Sequence, residues 1–272
     1  MLYAGIDVHK RTLDIAVWDS ITEEVVAREE RIAATRESLR LWAVEWAGKI
    51  EAVAFEATTG WVWVADVLHE TGHIPKMANP AVVKAMRGKL RKPKTDKIDA
   101  EWLAYLLAKS MLPECWMPPE DIRDLREVMR YRRSLVNQRT KHYEKLHAIC
   151  QQAGFATEKA HVSAKSARPW ILAMPFGGGK KIVVESHYRL IDAAEKEIDQ
   201  CESHIRQRWG DDPRVKALQT LVGIGIVIAC ELVAEIGDAL RFSSPRKLVR
   251  YAGLDPTVSE SGNSKYRGRL AK

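Results

Sequence analysis

Leu2-Tyr3-Ala4-Gly5-Ile6-Asp7-Val8 is an apolar run holding a single acid, and its reading decides the fold. An apolar run of this length, closed by the polar His9-Lys10-Arg11, predicts a buried strand. Leu13 to Trp18 alternates as its antiparallel partner and Glu24 to Ile32 supplies a third strand, the three joined by short polar turns into a meander. Beyond it the spacing changes. A helix is predicted from Arg36 to Trp46, a strand from Ala52 to Phe55 ending in Glu56, a helix from Gly60 to His69 and a short strand from His73 to Met77. A basic segment then leads into a helix through Trp102, Leu103, Leu106 and Leu107. Hairpin-linked strands followed by helix, strand, helix, strand, helix is the order of an RNase H-like fold, an α/β domain with a mixed sheet and helices on both faces.

That fold brings particular acids into view. Asp7 sits inside an apolar strand, where an unpartnered carboxylate is costly, and Glu56 ends another strand, where open α/β sheets place their ligands. Asp96 and Asp99 fall three residues apart in Thr95-Asp96-Lys97-Ile98-Asp99, with Thr95 as the predicted N-cap, so both point the same way from the first turn of a helix. Around them lie seven bases, Lys84, Arg87, Lys89, Arg91, Lys92, Lys94 and Lys97, which would attract a phosphate backbone. Each acid also has a plainer reading: a hydrogen-bonded strand end for Asp7, a helix-cap neighbour for Glu56, and ion pairs at a solvated helix end for the other two. Taken together, the four occupy the positions where such a fold gathers ligands for two Mg²⁺ ions about 4 Å apart, able to stabilise both the entering and the leaving oxygen at a phosphodiester.

The bulk numbers agree with a folded, polyanion-binding protein. With 272 residues, 46% of them hydrophobic, the chain can bury a sizeable core in two or three domains, and a net charge of +7 favours nucleic acid as partner. Cys115, Cys150, Cys201 and Cys230 are too scattered for a disulfide framework or a zinc site, which points to free thiols in a reducing cytoplasm. Neither a signal peptide nor an apolar run of the roughly 18 residues that a membrane span needs is visible.

After Pro118-Pro119 the pattern becomes all-α. Glu120 to about Cys150 carries Ile122, Leu125, Met129, Leu135, Val136, Leu146 and Ile149 at helical spacing, and a section containing Gly177-Gly178-Gly179 separates it from a second long helix. There Val184, Ile191, Ile198 and Ile205 recur every seven residues, with Ala194 and Cys201 as further core positions, which predicts a coiled-coil arm. His187 and His204 read as polar interruptions of that seam rather than metal ligands. Arg130, Arg132, Arg133, Arg139 and Lys141 make the first helix basic, either as a solvated face or as one turned to nucleic acid. Leu221-Val222-Gly223-Ile224-Gly225 then enters an apolar helix, Ile226 to Ile236; Gly223 and Gly225 would expose backbone N–H groups to a phosphate, as in a helix-hairpin-helix element, or simply make a tight turn between core helices. By composition, Glu260 to Lys265 is a polar loop in which no serine stands out.

Several of these segments carry a family resemblance. Gly5-Ile6-Asp7-Val8-His9-Lys10, Phe55-Glu56-Ala57-Thr58-Thr59-Gly60, Asn79-Pro80 and Lys94-Thr95-Asp96-Lys97-Ile98-Asp99-Ala100 resemble the amino-terminal motifs of the DEDD transposases of the insertion sequence 110 family, relatives of the Piv invertase. Ala252-Gly253-Leu254-Asp255-Pro256 followed by Ser261-Gly262 resembles the carboxy-terminal domain of the same family. The resemblance implies a RuvC-like domain whose metal ligands are Asp7, Glu56, Asp96 and Asp99, and a serine nucleophile at Ser261. It also implies recombination of DNA through a transient phosphoserine link and guidance by a structured bridge RNA; the long helices could pair within one chain or build an oligomer, with a dimer or tetramer expected. The family's motif continues past Gly268-Arg269-Leu270-Ala271-Lys272, which implies that the domain holding Ser261 is incomplete here.

The expected organisation is a RuvC/RNase H-like catalytic domain over 1–115, a coiled-coil arm over 116–210 and a partial helical transposase domain over 211–272. Two other activities stay open for the same residues: a metal-dependent junction nuclease using water as nucleophile, and a catalytically silent nucleic-acid-binding protein.

Overall fold

The computed structural model describes residues 1–87, 96–155, 162–261 and 264–270, and side chains up to residue 255 apart from Arg87 and residues 96–98. The chain divides into two compact units, Met1–Met117 and Pro118–Lys272.

In the first unit β1 (Leu2–Val8), β2 (Thr12–Asp19) and β3 (Glu24–Ala33) form the meander. α1 (Arg36–Glu45) starts where the Thr35 hydroxyl accepts from the Ser38 amide at 3.2 Å, a side-chain N-cap. β4 (Ile50–Glu56), α2 (Trp61–Glu70) and β5 (Pro75–Ala78) follow. The sheet order is β3-β2-β1-β4-β5, with β4 and β5 parallel to β1 and β2 antiparallel to it, the arrangement expected from the sequence.

Alternation assigns the two faces of the sheet. Ala4, Ile6, Leu13, Ile15, Val17, Val53 and Phe55 are buried in one cluster with Leu39 and Trp42 of α1 and Val64 and Leu68 of α2. The other face, with Ala52 and Ala54, packs against Val83 of α3 (Pro80–Arg87) and Leu103, Leu106 and Leu107 of α4 (Asp96–Ala108). Helix α3 lies where the sequence shows only the start of a basic segment; Asn79 caps it, its Oδ1 accepting from the Ala81 and Val82 amides at 3.0 and 3.3 Å, and Pro80 occupies the first turn. Thr95, the expected cap of α4, lies outside the described residues.

In the second unit α5 (Glu120–Gln152) packs against α7 (Gly178–Trp209), with α6 (Ala167–Leu172) between them in sequence. Helix α7 starts inside the glycine run expected to precede it, because Gly177 is the N-cap and glycine is tolerated in a first turn. Val184, Ile191, Ala194, Ile198 and Ile205 are buried as expected, and Cys201 only partly so. Helices α8 (Pro213–Gln219) and α9 (Ile226–Ile236) meet through the turn at Gly223, whose φ of 87° is a left-handed conformation that suits glycine. After α10 (Pro245–Tyr251) the polar loop expected at Glu260–Lys265 is instead the end of a hairpin, β6 (Pro256–Ser261) paired with β7 (Ser264–Leu270). Alternating hydroxyls and charges without an apolar face left that hairpin without a strand signature in the sequence. No helix among the described residues is long and apolar enough to cross a membrane.

Candidate nucleic-acid-processing site

The site begins with strand register. β1 and β4 are parallel neighbours with Ile6 opposite Phe55, so one step further Asp7 and Glu56 stand side by side on the same face, their backbones about 4.8 Å apart. That face is the one covered by α4. A Cβ built on Gly5 would lie 2.1 Å from the Ala100 carbonyl oxygen and 2.6 Å from the Ala104 amide nitrogen, which shows how closely the helix rests on the strand. Further along, Tyr105 meets Trp18 edge-on at 5.5 Å, and Trp18 is the cross-strand partner of Tyr3. Helix α4 therefore runs antiparallel to β1, and its first turn, with Asp96 and Asp99, lies toward the end of the strand that carries Asp7. One carboxylate oxygen of Asp99 is fully buried. The side chain of Asp96 is outside the described residues.

Asp7 is 13% exposed and its Oδ2 lies 3.1 Å from Nε2 of His9, two residues on. On its other side is a further acid that no local sequence pattern marks out. Asp14 is the cross-strand partner of Asp7 in β2, hence on the same face, and at 4% exposure it is a buried acid. Its Oδ1 accepts from the Arg31 amide at 3.2 Å. Arg31 has φ of 55°, an uncommon value for a non-glycine residue, and sits in the bulge where Glu30 and Arg31 of β3 together face Asp14. Only the hairpin register reveals Asp14: positions opposite each other around His9–Arg11 sum to 21, which pairs 14 with 7. Glu101, one turn along α4 from Ile98, holds Arg28 of β3 at 2.7 Å and so ties the helix to the sheet.

The donor types suit a hard divalent cation, which takes carboxylate oxygen. Among the described residues, however, no three His, Cys, Asp or Glu side chains stand close enough to share an ion. The backbone brings Asp7 and Glu56 together and sets Asp99 above them, while the Asp7 carboxylate is turned to His9.

The other expected site residues fall as follows. Lys84 is exposed on α3; Arg87 and Lys97 are on α3 and α4 with side chains outside the described set, as are Lys89, Arg91, Lys92 and Lys94 entirely. Gly223 and Gly225 form the turn before α9, with Gly225 as its N-cap. Ser261 ends β6 opposite Ser264.

The basic face of α5 resolves into ion pairs. Arg130 reaches Glu235 at 3.6 Å, Arg132 reaches Glu202 at 2.6 Å, Arg139 reaches Glu195 at 3.7 Å, and Arg133 meets Glu231. These arginines meet glutamates of α7 and α9, with Arg132 largely buried in its pair and Arg130 and Arg133 still mostly exposed.

Residues 4–154 match a family described as Transposase, the DEDD type of IS110 elements, and residues 215–272 match the Transposase IS116/IS110/IS902 family. A putative transposase of Sinorhizobium fredii is 26% identical over 99% of this chain and 67% of its own length. A pilin gene-inverting protein of Moraxella bovis is 26% identical over 96% of this chain and 74% of its own. Against four of its transposase relatives the chain spans 58–78% of the relative's length. Of solved structures, a Thermus thermophilus RuvC with a Holliday junction substrate overlaps 42% of this chain and 99% of that one at 16% identity, with a TM-score of 0.33; the sheet assignment stands on strand order and register alone.

Proposed function

The chain belongs to the DEDD transposases of the IS110 type, and from that membership we propose that it cuts and rejoins DNA strands at a divalent-metal site built by Asp7, Glu56, Asp96 and Asp99. The observation that carries this reading is the register of β1 and β4, which sets Asp7 beside Glu56 on the face crossed by the first turns of α4. A divalent cation, Mg²⁺ in the reading favoured here, would neutralise charge on the phosphodiester oxygens. The residues themselves do the holding. Asp7 and Glu56 supply carboxylate oxygen from rigid strands, Asp99 and Asp96 supply it from a helix end, and Lys84, Arg87, Lys97 and the bases between them draw the DNA backbone toward the acids.

In this proposal Ser261 is the nucleophile. Its Oγ–P bond forms as the O–P ester bond of the DNA strand breaks, and the proton lost by serine goes to the departing oxygen, so one ester replaces another and rejoining needs no ATP. Ser261 belongs to the second compact unit, in the proposed transposase domain at 211–272, and the α5–α7 pair is proposed as the coiled-coil arm of a dimer or tetramer. The turn at Gly223 and Gly225 is proposed as a helix-hairpin-helix-like phosphate seat, and a structured guide RNA as the source of target choice.

The test separates the parts. Isothermal titration with Mg²⁺ or Mn²⁺ should give binding that Asp7→Asn, Glu56→Gln and Asp99→Asn each weaken at least tenfold. A labelled DNA substrate should give an adduct stable in denaturing gels and absent in Ser261→Ala. Cleavage that persists in Ser261→Ala without any adduct would assign the site to a nuclease using water. Nucleic-acid binding with no divalent binding and no cleavage would leave a silent binding protein.

A further inference from the structure

On the opposite face of the same strand ends the first unit opens a groove of about 520 Å³. It is lined by the residues that directly follow the two strand-borne acids: Val8, His9 and Lys10 after Asp7, and Thr58 to Gly60 after Glu56, with Ala34 and Trp63 completing it. His9 touches both regions, since its Nε2 lies 3.1 Å from the Asp7 carboxylate. Whatever occupies the groove is therefore within a residue or two of the acids.

The lining specifies the occupant. Val8 and Ala34 are apolar walls. Trp63 is half-buried, and Gly60 makes room for it, since a Cβ at position 60 would come within 3.0 Å of the indole nitrogen. The Thr58 hydroxyl oxygen is buried and has no hydrogen-bond partner among the described residues, so a bound molecule that offers it a polar atom removes a desolvation cost. Lys10 is exposed and cationic. A flat apolar body with a polar edge and an attached anion satisfies all of these, and that description is a nucleotide. The volume lies in the range of about 300–1,000 Å³ typical of small-ligand sites, enough for one base and its sugar but not for a duplex.

We propose that this groove receives a single unpaired deoxynucleotide of the DNA strand, with its base against Trp63, its polar edge at Thr58 and its phosphate toward Lys10. The proposal rests on the DNA-cutting reading above for its choice of DNA. It means that the strand is held beside the acids by an unstacked base rather than by its backbone alone.

The experiment uses the full chain, in EDTA so that divalent binding plays no part, and single-stranded DNA carrying one 2-aminopurine. Binding should change the probe's fluorescence, and Trp63→Ala should weaken binding by roughly 5- to 100-fold, the range found for loss of one base stack. Thr58→Val, which keeps the shape, should weaken it severalfold, and Lys10→Ala should lower the salt dependence. The proposal is overturned if Trp63→Ala and Thr58→Val bind the strand as wild type does, if duplex DNA competes equally, or if an RNA strand of the same sequence binds more tightly. Asp7→Asn distinguishes the two readings. A normal 2-aminopurine signal with lost divalent binding supports both. A normal signal with divalent binding unchanged supports the groove and sinks the metal site. Failure of the groove variants to change anything, while Asp7→Asn abolishes divalent binding, does the reverse.

Discussion

Replacing Gly5 by alanine tests the packing on which the whole acid site depends. The added methyl would stand 2.1 Å from the Ala100 carbonyl oxygen, 2.6 Å from the Ala104 amide nitrogen and 3.0 Å from the Leu103 Cβ. Carbon and carbonyl oxygen ordinarily approach no closer than about 3.3 Å, so the shortfall exceeds about 1 Å. Two of the three obstacles are backbone of a helix and cannot rotate aside; either α4 lifts from the sheet or β1 bends. Overpacking of this kind costs about 1–3 kcal/mol, and backbone obstruction places this case at the upper end. For a unit of this size that corresponds to a fall in Tm of about 5–15 °C. The same displacement moves Asp99 away from Asp7 and Glu56, and an error of about 1 Å in a reacting geometry costs roughly 100-fold in rate. Calorimetry should show the lower Tm, and hydrogen exchange should show faster exchange for the amides of Leu103 to Leu107 than in wild type. If Gly5→Ala unfolds at the wild-type temperature with α4 equally protected, the helix does not rest on β1 as described, and the argument for a shared acid site fails with it.

Three further outcomes can be checked. Asp14→Ala should destabilise the protein by about 0.5–1.5 kcal/mol in denaturant titration, because it strips the part-buried Arg31 amide of its acceptor, while Asp14→Asn, which keeps the acceptor, should recover most of that stability. Burial first, then the neighbouring His142 and Lys145, holds the His187 imidazolium below its ordinary value of 6.5, and its Nδ1 lies 3.0 Å from that of His142. Between the folded and unfolded values the unfolded chain binds more protons, so this contribution to stability is whole above about pH 6.5 and is lost as pH falls; Tm against pH should be flatter below 6.5 in His187→Gln. Asp212 caps α8, its carboxylate accepting from the Arg214 amide at 2.8 Å, and the Arg214 guanidinium holds it below the usual carboxylate range. Asp212→Ala should cost about 0.5–2 kcal/mol near neutral pH, and the difference from wild type should shrink as pH falls through the folded-state value of Asp212, where the wild-type carboxylate is itself protonated.

Much of the architecture was legible because local patterns carry it. Period-two alternation in Leu13 to Trp18, the apolar run before Asp7 and the seven-residue recurrence from Val184 to Ile205 each follow from the geometry of one element and need no knowledge of its neighbours. The order of those elements then restricts the sheet to few arrangements, and the observed β3-β2-β1-β4-β5 is among them. The β6–β7 hairpin escaped because its sequence is dominated by charge and hydroxyls, which leave little apolar periodicity to read, whereas α3, with Ala81, Val82, Val83, Ala85 and Met86, is only eight residues long and runs into a stretch whose bases drew the reading. The basic stripe on α5 left two readings open for a related reason: composition counts arginines but not the glutamates that α7 and α9 bring to meet them.

What the amino-acid order determined alone is therefore the kind and succession of elements, together with the acids at their ends. Which of those acids are neighbours was settled only when strands found their register and α4 settled onto Gly5. Asp14 shows the difference most clearly: along the chain it is one polar residue in an alternating strand, and only pairing across the hairpin makes it the buried companion of Asp7. Side-chain period is a property of one strand, whereas proximity between strands is set by hydrogen-bonded register, and a shift of one residue would have turned the same carboxylate to the opposite face.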